Sequence, residues 1–408
     1  MNVLRLHELN PKSDPVVLSL TGSKSETNRL LILQALWPDL ELSNLALCDD
    51  STVMMQALKH QKGTIDVGHA GTAMRFLTAY YACMPGSEVV LTGSSRMKQR
   101  PIGLLVEALR TLGAKVDYLE QEGYPPLSIS GIHCIGGRIQ ISGKISSQYL
   151  TALMLVATKF DNGLTIEVLD ELTSLPYLKM TASLLSRLGV EVLLNDSQIV
   201  IRGPLAHGSH KINIESDWSG ASYWYSMVAL KPQCSLILKH FHRESRQGDA
   251  ALVERYKALG VDTEFIGEGQ IRLSASGKPL PEFIEWNLAD TPDLAQTIAV
   301  TCFGLGVACH LTGLHTLKIK ETDRLLAMAR ELSKMGAEVE TSSNSLVLKA
   351  RKNLHENVVI ETYHDHRMAM AFAPLVALVS IGIADPDVVS KSYPEFWRHL
   401  DQVGVQMN

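Results

Sequence analysis

Eight basic residues, Lys24, Arg29, Arg75, Arg100, Lys320, Arg324, Arg367 and Lys391, stand where helix-forming runs begin. A helix start offers unbonded N–H groups and a partial positive charge, so a lysine or arginine placed there adds to an anion site. One such residue is ordinary. These come from both halves of the chain, and a fold that gathered even half of them would bind a polyanion strongly. Asp293, after Pro292, and Glu321, beside Lys320, are interspersed among them and are the candidates for proton transfer in such a pocket.

The individual segments carry weaker signals. Gly22-Ser-Lys24-Ser25-Glu-Thr-Asn-Arg29 follows the apolar run VVLSL, and Ser23 or Ser25 can cap the helix after it. It lacks the spacing of a nucleotide-binding P-loop. Gly68-His-Ala-Gly71-Thr-Ala-Met-Arg75 is a small-residue turn in which Gly71 lets backbone approach a ligand closely. Arg96-Met-Lys98-Gln-Arg100-Pro101 is a basic run whose proline suits the first turn of the next helix. Ser146-Ser147-Gln148 supplies uncharged donors suited to a hydroxyl or phosphate, although capping alone explains a serine pair. Ser174-Leu-Pro-Tyr177, taken by itself, reads as a turn. His364-Asp365-His366-Arg367 invites a metal reading, but residues one and two apart do not share a helix face. With no matching partner cluster, no metal site is expected.

The elements that must position these residues form a repeat. An apolar-periodic helix, a glycine and two strand-like runs recur around Gly113, Gly189, Gly260, Gly336 and Gly404, at spacings of 76, 71, 76 and 68. Glycine ends each helix in the left-handed conformation. Runs such as VEVLLND and SQIVIRG then form a hairpin, with Asn195–Asp196 near its turn. A period near 68 divides the 408 residues into six copies, the first of them degenerate. SETNRLLILQAL, from Ser25, also echoes KETDRLLAMAREL, from Lys320. Six compact α/β units fit two similar domains of three units each.

Composition bounds the function. With 46% hydrophobic and 20% charged residues the chain is an ordinary globule with no need of a disulfide or metal staple. A net charge of −5 excludes a broad attraction to nucleic acid or to anionic membrane. The six cysteines form no Cys-x-x-Cys pair, and the start MNVLRLHELN has no signal-peptide core. Met368 to Ala384 is the longest apolar stretch, but it contains Pro374, Ser380 and Gly382 and reads as a buried helix. A reducing, cytoplasmic setting is expected.

In unbroken order, TGSKSETNR, GHAGTAMR, RMKQRPIG, SSQYLTAL, PDLAQTIA, KETDRLLAMA, DHRMAMAF and KSYPEF resemble the motifs of the 3-phosphoshikimate 1-carboxyvinyltransferase family of enolpyruvyl transferases. The resemblance covers essentially the whole chain. It implies an inside-out α/β barrel type of fold, with one domain at 20–214 and the other built from 1–19 and 215–408. The active site would lie in the cleft between them. The implied reaction moves the enolpyruvyl group of phosphoenolpyruvate to the 5-hydroxyl of shikimate 3-phosphate by addition and elimination, releasing phosphate. It needs no metal or cofactor, and a monomer is the family expectation.

Carried over by motif, shikimate 3-phosphate would meet Lys24, Ser25, Arg29, Ser146, Ser147, Gln148, Ser174, Tyr177, Asp293 and Lys320. Phosphoenolpyruvate would meet Lys24, Gly71, Arg100, Gln148, Arg324, Arg367 and Lys391. Asp293, Glu321 and Lys24 would share the proton transfers. The chain departs from the usual family pattern at His69, His364 and Thr316, which replace asparagine, and at Phe76, which replaces the proline after Arg75. Phe76 borders the neighbourhood that governs glyphosate fit in this family.

Three other readings compete. The sister transferase acting on UDP-N-acetylglucosamine would carry a reactive cysteine where this chain has SSRMKQR. A non-catalytic anion-binding protein on the same fold would have lost Asp293 or Glu321. A structural repeat protein would show one exposed stripe per repeat, whereas the cations here concentrate at irregular loops.

Overall fold

The computed structural model describes residues 2–142, 147–170, 172, 175–202 and 210–408. Its α-helices are α1 (Lys24–Leu36), α2 (Asp49–Ala57), α3 (Gly71–Ala82), α4 (Gly103–Thr111), α5 (Ser147–Val156), α6 (Leu175–Arg187), α7 (Trp218–Leu230), α8 (Leu252–Ala258), α9 (Ala295–Leu305), α10 (Arg324–Lys334), α11 (His366–Phe372) and α12 (Phe396–Val403). The chain divides into one unit of Met1–Gly22 with Glu215–Asn408 and a second of Ser23–Ile214.

Each repeat is a strand, a buried helix, a parallel strand, an amphipathic helix and an antiparallel hairpin. In the second unit, Lys62–Asp66 and Glu88–Thr92 pair in parallel across α3, and Lys115–Tyr118 and Leu127–Ser130 close the sheet after α4. Gly137–Ile141, Leu164–Val168, Glu191–Leu194 and Gln198–Arg202 repeat that plan around α5 and α6. The last two strands are the hairpin foreseen in VEVLLND and SQIVIRG. Its turn closes where the Asn195 N–H donates to the Gln198 carbonyl. The first repeat is the degenerate one: among the described residues, Leu40–Ser43 pairs only with His210–Asn213, and no hairpin follows α2.

The other unit repeats the plan three times, around α7 and α8, α9 and α10, and α11 and α12. Its third sheet needs the chain's first strand, Val3–Leu9, which pairs with both Ile381–Ala384 and Val405–Met407. That pairing is why both termini belong to one unit.

Hydrophobicity decides which helices go inside. In α9 every residue but Leu305 is buried, and in α11 all seven are. A helix apolar on all sides must be surrounded, whereas α10 and α12 expose one polar stripe. The glycines ending the repeat helices all have positive φ: Gly113 +93°, Gly189 +84°, Gly260 +86°, Gly336 +100° and Gly404 +108°.

The apolar stretch 368–384 is not one helix. α11 stops at Phe372, Pro374 sits in a 3-10 turn over Ala373–Ala377, and Ile381–Ala384 is a fully buried strand. Proline cannot extend an α-helix interior, and the β-branched residues after it join the sheet. Among the described residues, no helix is long and apolar enough to cross a membrane.

Candidate active-site residues

In the second unit, Ser23 caps α1 by accepting from the Glu26 N–H, which places Lys24 and Ser25 in the first turn. Lys24 Nζ lies 3.2 Å from Asp50 Oδ2, at the start of α2. Arg29 points inward at 3% exposure. Among the described residues its guanidinium donates to neutral oxygens: Thr181 Oγ1 at 2.9 Å, Thr151 Oγ1 at 3.4 Å, and the Ser25 and Tyr177 carbonyls at 2.7 and 3.4 Å. The rings of Phe76 and Tyr177 lie 5.7 and 6.0 Å from it. Burial lowers its pKa to about 10, with the Coulomb fields of Tyr177 and Glu26 opposing. A buried cation hydrogen-bonded to neutral groups keeps its charge available for an incoming anion.

A second basic centre surrounds the start of α3. Arg75 is buried and donates to the Gly71 and Pro101 carbonyls, at 3.2 and 3.0 Å. Burial, then repulsion from Arg100, lowers its pKa to about 10. A Cβ on Gly71 would strike the Arg100 guanidinium, so the missing side chain is what lets Arg100 lie over the helix start. Pro101 is not in the first turn of α4, which begins at Gly103. Its carbonyl is taken by Arg75 and by the Tyr149 hydroxyl of α5. Gln148 Nε2 reaches Thr72 Oγ1 at 3.2 Å, tying the openings of α5 and α3 together. Ser147 opens α5 and is buried, while Ser146 and Ser174 lie outside the described residues.

In the unit with both termini, the remaining candidates converge on Arg324, the first residue of α10. This guanidinium is 2% exposed and meets Asp365 Oδ2 through Nε at 2.6 Å, Asp293 Oδ1 at 3.0 Å and Glu321 Oε2 at 2.9 Å. Lys391 Nζ sits 2.8 Å from Glu321 Oε1, and Lys320 Nζ 3.9 Å from Asp293 Oδ1. Arg367 donates to Asp293 Oδ2 at 2.9 Å. Burial opposes the charge on Arg324, but Asp365, Glu321 and Asp293 outweigh it and raise the pKa. Arg367 is likewise raised, against its burial, chiefly by Asp293.

Sequence reasoning assigned no role to several supporting residues. Asp365 caps α11, accepting from the Arg367 N–H at 2.9 Å, and also holds Arg324. The only sequence signal for it was the His-Asp-His run first weighed as a metal site. Asp50, Thr151 and Thr181 left no signal beyond ordinary helix residues. Asp249 accepts from the Ser219 hydroxyl, and burial, then the nearby Asp293 charge, raises its pKa to about 7. Of the departures from family pattern, His364 follows Tyr363 in a pair of left-handed residues (φ 56° and 53°) that turns the chain into Asp365. Thr316 Oγ1 is buried without a partner among the described residues.

Solved structures define the fold. The chain matches EPSP synthase from Acinetobacter baumannii with a TM-score of 0.78 at 19% identity, covering 100% of both chains. It matches the enolpyruvyl transferase NikO from Streptomyces tendae at 0.72 and 13% identity, covering 100% and 98%. The fold is the two-domain α/β fold of enolpyruvyl transferases. The sequence model for EPSP synthase (3-phosphoshikimate 1-carboxyvinyltransferase) matches residues 59–400. A 3-phosphoshikimate 1-carboxyvinyltransferase of Bacteroides fragilis (strain YCH46) is 43% identical over 97% of this chain and 96% of its own. One from Mannheimia haemolytica is 36% identical over 95% and 96%. The chain belongs to the EPSP synthase family.

Proposed function

We propose that the chain transfers the enolpyruvyl group of phosphoenolpyruvate to the 5-hydroxyl of shikimate 3-phosphate, with residues supplied by both units. The observation that carries the reading is the meeting of Asp293 and Glu321 on the single guanidinium of Arg324, flanked by Lys320, Arg367 and Lys391. Two carboxylates held apart by one cation can take different proton-transfer roles.

Lys24, Ser25, Arg29, Ser146, Ser147, Gln148, Ser174 and Tyr177 hold shikimate 3-phosphate, together with Asp293 and Lys320. Its phosphate is an acceptor for Arg29, whose cationic form burial disfavours until an anion arrives. Phosphoenolpyruvate is held by Lys24, Gly71, Arg100, Gln148, Arg324, Arg367 and Lys391. Its carboxylate and phosphate are the planar and tetrahedral anions that arginine forks match.

In the addition step, a proton reaches C3 of phosphoenolpyruvate from Glu321 or Lys24, and the 5-oxygen bonds to C2 while Asp293 takes the hydroxyl proton. In the elimination step, C3 returns a proton and the C2–phosphate bond breaks, releasing phosphate. The cations stabilise the charge that develops on carboxylate and leaving phosphate. We place the enzyme in the cytoplasm as a monomer, consistent with six free thiols.

The test is phosphate release from phosphoenolpyruvate by the purified protein without added metal. Release with shikimate 3-phosphate and none with UDP-N-acetylglucosamine supports the reading. Release only with the nucleotide sugar moves the chain to the sister reaction, and release with neither rejects catalysis on these substrates.

A further inference from the structure

Arg367 lies in a cluster of opposite charges. Lys320, Arg324, Arg367 and Lys391 face Asp217, Asp249, Asp293, Glu321 and Asp365, and Arg255 faces Asp249. An anionic substrate that binds at Arg367 adds negative charge beside these carboxylates, which favours protonation of the one with the weakest contacts. Four carboxylates are firmly engaged. Asp217 caps α7 through two backbone N–H groups, Asp365 caps α11 and holds Arg324, Asp293 meets three cations and Glu321 two.

Asp249 differs. It sits in a 3-10 turn, Gly248–Ala251, at 5% exposure. One oxygen accepts from Ser219, and the other, Oδ1, is buried with no partner among the described residues. The groups that act on it are Asp217 and Ser219 of the α7 turn, Asp293 before α9, Arg367 of α11 and Arg255 of α8. Arg255 also answers to Asp290, and its guanidinium lies 5.3 Å from the Trp286 ring.

We propose that Asp249 is a positioning residue that takes up a proton when phosphoenolpyruvate binds at Arg367, leaving that guanidinium to the substrate and Asp293. A neutral Asp249 keeps its hydrogen bond with Ser219 and removes one negative charge beside Arg367. A pKa raised by burial and by Asp293 brings that uptake within reach near neutrality. The inference rests on the proposed placing of phosphoenolpyruvate at Arg367.

The experiment is the pH dependence of KM for phosphoenolpyruvate in the parent and in Asp249→Asn, which mimics the protonated acid. Their ratio cancels the titration of the substrate itself. The variant-to-parent ratio should be near one at pH ~6 and fall to about one-fifth or below by pH ~8.5. A ratio flat across that range overturns the proposal. Should the asparagine variant not fold, Ser219→Ala serves, because loss of that hydroxyl donor must move the alkaline rise in KM to higher pH. An unmoved rise overturns it. Infrared difference spectra separate this inference from the proposed reaction. A protonated-carboxyl C=O band, present in the parent, absent from the variant, and titrating to higher pH when inorganic phosphate is added, supports the Asp249 role even if no turnover is found. Absence of that band overturns the role even if turnover is normal.

Discussion

Arg324 and Asp365 form a buried ion pair, Nε to Oδ2 at 2.6 Å, with the two side chains 2% and 0% exposed. The same carboxylate caps α11 by accepting from the Arg367 N–H. One aspartate therefore sets two of the three arginines that are proposed to hold the donor substrate. Breaking a buried pair strands the partner charge. Asp365→Ala is expected to cost about 3–5 kcal/mol of stability, read as a lowered denaturant midpoint. Asp365→Asn keeps the cap and should lose less. Equal and small losses would show that the pair contributes nothing.

Asp293 is held by Arg324 and Arg367 on opposite oxygens, which orients its carboxylate. As the proposed acceptor of the hydroxyl proton, its change to Asn should lower kcat by about 10²–10⁴. KM for shikimate 3-phosphate should change far less. Near-normal kcat would remove it from that role.

The Gly71 Cα hydrogen faces the Arg100 guanidinium, and Gly71→Ala must push that side chain aside. Displacing a bidentate anion contact costs about 1.5–3 kcal/mol, so KM for phosphoenolpyruvate should rise about tenfold or more. Thermal stability should barely move, since the obstacle is a flexible side chain.

Asp249 also carries a stability signature. An acid whose folded pKa is raised, here to about 7 from 3.8, binds its proton more tightly in the folded state. Stability is therefore lost as pH rises from the unfolded value toward the folded one, and levels off above it. Asp249→Asn lacks that loss. The melting temperature of the variant relative to the parent should climb between pH ~4 and ~7 and stay flat beyond. A difference that does not vary with pH contradicts the buried, proton-binding carboxyl.

Two repeat glycines separate backbone strain from crowding. A Cβ at Gly189 meets nothing within 4 Å, so Gly189→Ala should cost only the left-handed penalty, about 1–2 kcal/mol. At Gly404 the added carbon would strike the Asn10 carbonyl that leads out of the first strand. Gly404→Ala should lose clearly more, as measured by chemical denaturation.

The repeat was legible because its signals are local. A helix period, a glycine that must turn left-handed and an alternating hairpin are all set by neighbouring residues; the helix and glycine recur five times and the hairpin follows four of them. The weakness of the first copy was equally readable, and it appears as the two-stranded sheet of Leu40–Ser43 with His210–Asn213. The cationic helix starts were visible for the same reason. Where a local rule was overextended it failed: 368–384 reads as one apolar run, yet Pro374 and the sheet pairing of Ile381–Ala384 split it.

What tertiary structure alone decided is which charges meet. Asp293, Glu321, Arg324, Asp365, Arg367 and Lys391 are scattered over about a hundred residues, and no spacing rule links them. They converge because the turns that open α9, α10 and α11 meet within one unit, where Asp293, Arg324, Asp365 and Arg367 pair. Asp249 was silent in the sequence, and Asp365 was visible only within a His-Asp-His run, because an aspartate in a turn is commonplace. Only burial, with cations and other carboxylates brought beside it by the fold, makes its charge matter. The sequence by itself determined the repeat, the capped helix starts and the family likeness. Packing determined which carboxylate holds which arginine, because electrostatic energy depends on distance and desolvation rather than on order along the chain.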